Sequence, residues 1–143
     1  MSKTPTRSPT HEDIDPSRLA TMAVDLEEIA DGETVTLAAL VELAEDRGRP
    51  ASHYLATLPL ATDLRLAGEA PLTVKVCAGT CQRWGALDLL DHLVEKRGIQ
   101  LAPVSCLDRC DHAPAAEIHG EHGQLVLAPA TPQTLDDAIA SLP

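Results

Sequence analysis

Two cysteine pairs of identical spacing, Cys77-x3-Cys81 and Cys106-x3-Cys110, constrain this chain more than any other feature. Each follows a segment that reads as a strand. Leu72-Thr73-Val74-Lys75-Val76 alternates apolar and polar residues, as a half-buried strand does. Ile99 to Val104 reads as a second strand. Between them, Ala86, Leu89, Leu90, Leu93 and Val94 form the stripe of a helix from about Gln82 to Arg97, with Gly98 at its C-terminal cap. If the two strands are parallel neighbours, both pairs leave the sheet at one edge, and four thiols converge there.

Several chemistries use such a set. Iron–sulfur clusters take Cys₄ ligation, and so does structural zinc. Zinc knuckles usually sit in small ribbons with little other core, whereas these pairs lie in a βαβ unit with apolar faces of its own. A third alternative is disulfides or a thiol–disulfide couple, although the thioredoxin-type C-x-x-C is missing. Spacing alone leaves all three open. Cys81 stands where the helix begins, and the unpaired N–H groups and dipole there favour a bound anion.

Arg83 and Arg109 each neighbour a cysteine, where they could raise a reduction potential or meet a partner, or simply lie in solvent. Trp84 could shield a cluster or join the core. His112, two residues past Cys110, would matter only if histidines replaced cysteines as in Rieske centres; a surface histidine is the plainer reading. His53, His92, His119 and His122 share no ligand spacing, and Pro114 sets the turn that leads from the second pair into a hairpin.

Residues 1–12 read as a disordered tail. Residues 13–59 form a helical segment. Asp15-Pro16 supplies an N-cap and a first-turn proline, and Leu19, Met22, Ala23, Leu26, Ile29 and Ala30 follow at helical spacing until Asp31-Gly32. Thr36 caps a second helix ending at Gly48. Pro50 opens a short third helix, Ala51 to Leu58, closed by Pro59. Residues 60–71 are a connector. Residues 72–143 form one unit: after the second pair, Ala115–His119 and Gln124–Leu127 make the hairpin across Gly120–Gly123, and Thr131-Pro132 opens a last helix. The order β-α-β-β-β-α predicts an α/β (α+β) fold, a central sheet flanked by helices and preceded by the short helical segment, with a right-handed crossover between the first two strands.

With no Phe and only Tyr54 and Trp84 as aromatics, the core must be aliphatic. The net charge of −11, spread over both halves, argues against nucleic acid and anionic lipid as partners. It suits docking on a basic protein surface. No apolar run reaches membrane-spanning length and no secretory signal is visible, so the expected location is cytoplasmic, without membrane insertion. There cysteines serve as metal ligands or redox thiols rather than structural disulfides. The chain has no G-x-G-x-x-G and no P-loop, so it should not oxidise NAD(P)H by itself. The apolar stripe of the first helix could pack on its own domain or on a second copy, making a homodimer one candidate assembly.

Residues 72–143 resemble the thioredoxin-like [2Fe–2S] ferredoxins, the family of the small cluster-bearing subunit of NADH:quinone oxidoreductase and of its relatives in NAD-linked hydrogenases and formate dehydrogenases. The resemblance rests on Val76-Cys77-x3-Cys81-x-Arg83-Trp84-Gly85-Ala86, on Cys106-Leu107-x-Arg109-Cys110-x-x-Ala113-Pro114, and on the terminal Thr131-Pro132-x-x-Leu135-x-x-x-Ile139. Leu43-Ala44-Glu45 and the helix around Tyr54 look like a shortened form of the helices that precede the ferredoxin part in that small subunit. The chain departs from the family in two places: its first pair is C-x3-C where the family usually has C-x4-C, and Asp108 stands where glycine is common. The resemblance implies a thioredoxin-like fold and a [2Fe–2S] cluster on Cys77, Cys81, Cys106 and Cys110. It also implies one-electron transfer beside a flavoprotein or NAD(P)H-handling partner, as a subunit or as a free ferredoxin. The alternative is a zinc-binding or cluster-free module that binds partners through its N-terminal helices.

Overall fold

Helix α1 (Pro16–Ile29) starts where its sequence says it should: the Arg18 amide donates to Asp15 Oδ1 at 2.8 Å, and Pro16 fills the first turn, where no amide is needed. The structure, a computed structural model, describes residues 14–68, 70, 72–78, 86–96, 99–104, 115–120, 123–127 and 130–141. Helix α2 (Leu37–Arg47) begins on Thr36, whose hydroxyl accepts from the Ala39 amide at 3.1 Å. It ends at Gly48, whose φ of 66° is the left-handed turn that glycine makes most cheaply.

Helix α3 (Ala51–Ala61) is the hub of the helical segment. Ser52 through Leu58 are all buried, so α3 is enclosed on every side and must be covered by neighbours. α1 and α2 pack against it, and so do helix α4 (Ala86–Val94) and strand β4 (Ile99–Val104). No side chain of its own caps α3. Asp91 of α4 does so instead, its Oδ1 accepting from the Ser52 amide at 3.0 Å. Contrary to the sequence expectation, Pro59 does not close α3, which continues to Ala61. A proline in the final turn removes a single helical hydrogen bond, and the Thr62 amide and hydroxyl both donate to the Leu58 carbonyl, at 3.3 and 2.7 Å.

The region that reads as a featureless connector holds a strand. β1 (Thr34–Val35) and β2 (Arg65–Leu66) pair in parallel as a small sheet. The main sheet has the order β4-β3-β5-β6, with β3 (Leu72–Cys77) central beside β4, then β5 (Ala116–Gly120) and β6 (Gly123–Leu127). β3 and β4 are parallel; β5 and β6 form the expected antiparallel hairpin, closed by the Gly120–Gly123 pair. Pro103 lies in β4, at the edge of the sheet, where a missing amide is tolerated. Helix α5 (Pro132–Ser141) follows β6. The fold is thus mixed α/β, a four-stranded mixed sheet packed with helices and preceded by helices, compatible with the expected α+β class.

The core is aliphatic, as the composition requires, and continuous. One cluster runs from Met22 and Leu26 of α1 through Leu55 and Leu58 of α3 and Leu87, Leu90 and Leu93 of α4 to Val74, Val76 and Ile118 of the sheet. Met22 and Leu26 of the α1 stripe have no exposed surface and pack within their own chain, while Leu19, Ile29 and Ala30 lie half-buried against the same cluster. Beside it lies a buried polar contact. The Tyr54 hydroxyl donates to Asp25 Oδ2 at 3.0 Å, and Arg47 approaches the other oxygen of Asp25 at 3.4 Å. Burial, and next the hydrogen bond to the Asp25 carboxylate, push the Tyr54 phenol above its ordinary pKa.

Candidate functional site

β3 alternates as a half-buried strand until its end, where the alternation breaks. Val76, Cys77 and the following Ala78 are all buried, with Cys77 only 1% exposed. Cys77 is the last residue of β3 and pairs with Val104, the last residue of β4. The two parallel strands therefore end side by side, as convergence of the two cysteine pairs requires.

Two backbone hydrogen bonds tie this point down. The Cys77 amide donates to the Ala115 carbonyl at 3.1 Å, and the Ala78 amide donates to the Val104 carbonyl at 2.7 Å. Val104 immediately precedes residues 105–114, and Ala115 immediately follows them. The segment that carries Cys106 and Cys110 is therefore anchored at both ends on the Cys77–Ala78 backbone. Sequence reasoning misses this double anchor, because Ala115 reads as the start of the hairpin and its carbonyl carries no sequence signal.

Cys77 is the one predicted ligand among the described residues. Cys81, Cys106 and Cys110 lie outside them, as do Gln82, Arg83, Trp84, Asp108, Arg109, His112, Pro114 and His122. Among the described residues no three His, Cys, Asp or Glu side chains meet in a group that could hold a metal ion.

The described histidines have other surroundings. His53 is buried in α3. His119 sits 3.0 Å from Glu117 on β5. His92 of α4 reaches across to α5, its Nε2 lying 2.8 Å from Asp136 Oδ1, and Lys96 Nζ meets the same oxygen at 2.8 Å. Hydrogen bonds from Lys96 and then His92 hold the Asp136 carboxyl below its usual range. This cluster clamps α5 onto α4, and sequence spacing could not show it because its partners lie on different helices.

No helix among the described residues is long and apolar enough to cross a membrane. No protein-family model matches the chain, and no curated protein matches it.

Proposed function

We propose that this chain transfers single electrons through a [2Fe–2S] cluster held by Cys77, Cys81, Cys106 and Cys110. The observation that carries this reading is the register pairing of Cys77 with Val104 at the end of two parallel strands. Covalent length does much of the rest. Parallel partners lie about 4.8 Å apart, and Cys106, two residues beyond Val104, can stand at most about 7 Å further on. The return of the chain to Ala115, hydrogen-bonded to Cys77, limits Cys110 from the other side.

The donor set suits the group: four thiols in two Cys-x3-Cys segments match Cys₄ ligation of a [2Fe–2S] centre. When bound, the cluster supplies the one-electron chemistry. The chain's part is to hold it and to exclude water, which the near-complete burial of Cys77 serves. With a net charge of −11, the protein would meet a flavoprotein or NAD(P)H-handling partner through a basic surface, in the cytoplasm, and would not turn over NAD(P)H alone.

A zinc-binding or cluster-free partner-binding module is the second reading, since structural zinc takes the same four-thiolate ligation. The absorption spectrum of anaerobically purified protein separates the two. Sulfide-to-iron charge-transfer bands in a red-brown solution support electron transfer; a colourless protein containing zinc supports the module.

A further inference from the structure

Helices α2 and α4 both pack on α3, and between them runs an open cleft of about 870 Å³. Its floor is apolar, made of Leu37 and Val41 from α2 and Val94 from α4, all half-buried. Its rim carries the exposed carboxylates of Glu42, Glu45 and Glu95. None of the three forms an ion pair among the described residues. Among the described residues, the cation lining the cleft is Lys96, already engaged by Asp136 at 2.8 Å.

An occupant must therefore offer two things at once: apolar side chains for the floor and positive charge for a rim of uncompensated carboxylates. A second copy of this chain, itself at −11, would bring repulsion to that rim. A helix is ~10 Å across with its side chains, so the cleft has room for the apolar face of about two turns. Amphipathic helices bind grooves in this way, apolar anchors inward and charges at the edge.

We propose that the α2–α4 cleft docks a basic amphipathic helix of a partner protein. The cleft lies at the C-terminal end of α4, while Cys77 closes the strand that precedes this helix. A partner anchored there leaves the cysteine-bearing strand ends uncovered. The docking does not depend on what the cysteines hold.

The test is a fluorescence-anisotropy titration of the full chain with a labelled helical peptide of leucines on one face and lysines on the other. Saturable binding is expected, with no binding of the same peptide carrying glutamates for lysines. Val41→Asp should weaken binding about tenfold, the order of an interface anchor lost. The triple variant Glu42→Gln, Glu45→Gln, Glu95→Gln, altered only at exposed positions, should weaken it as well and reduce its salt dependence.

Val41→Asp discriminates because it adds a negative charge. If lysines were merely attracted to an acidic surface, affinity would rise, and the proposal would fail. It would fail equally if both variants bound as the parent does. A dimer that Val41→Asp dissociates would assign the cleft to a second copy. Tighter peptide binding on deletion of residues 1–12 would assign it to the chain's own Lys3–Arg7 segment. Either result overturns the proposal.

Discussion

Cys77 and Val104 are partners on the final rung of the β3–β4 ladder, and the Ala78 amide closes that rung by donating to the Val104 carbonyl at 2.7 Å. Together with the Cys77–Ala115 hydrogen bond, it fixes where the segment carrying the second cysteine pair leaves the sheet and where it returns.

Ala78→Pro removes the amide that holds Val104. Ala78 is fully buried, so the Val104 carbonyl would lose its partner away from water. An expected loss of about 1–3 kcal/mol should appear as a lower urea midpoint. If the proposed cluster is reconstituted, it should bleach faster in the variant than in the parent.

Leu26→Ala tests the self-packing of α1. With no exposed surface at Leu26, the truncation leaves a cavity inside the chain and should cost about 2–5 kcal/mol. Denaturant unfolding would read this directly, with the parent's oligomeric state unchanged. A variant of native stability that merely lost a partner would assign the stripe to an interface.

Tyr54→Phe removes a buried hydrogen bond to a carboxylate, worth about 1.5–3 kcal/mol. It also changes the alkaline limb of stability. The phenol's pKa is raised on folding, so its contribution is complete below the unfolded value of about 10 and is lost as pH rises through the folded value. Stability measured from neutral pH upward should fall less steeply for the phenylalanine variant.

Asp136→Asn unties α5 from His92 and Lys96. The Asp136 pKa is depressed on folding, so its stabilisation is present above the unfolded value of about 3.9 and disappears as pH falls through the folded value. The variant should melt below the parent at neutral pH, and the two curves should converge in acid.

Local chemistry makes much of this fold legible in the sequence. Asp15, Thr36 and Gly48 act as caps within a turn of their own residues, and the alternation of Leu72 to Val76 shows a strand directly. Features that depend on distant partners are hidden. The two-residue strands β1 and β2 are too short to show a period. The turn of α3 beyond Pro59 is held by Thr62. Asp91 caps a helix 39 residues before it in sequence, and His92 meets Asp136 44 residues later. At the candidate site, cysteine spacing points to one sheet edge; the structure pairs Cys77 with Val104, and the other three cysteines lie outside the described residues. The carbonyl anchors at Val104 and Ala115 are backbone atoms, which no residue type announces.

The central claim is the cluster, and iron with acid-labile sulfide, measured per chain after anaerobic reconstitution, tests it most directly. Each chain should carry about two irons and two sulfides, lost when Cys77, Cys81, Cys106 or Cys110 is replaced by Ser while the helical circular dichroism persists. One zinc per chain with no labile sulfide would contradict it.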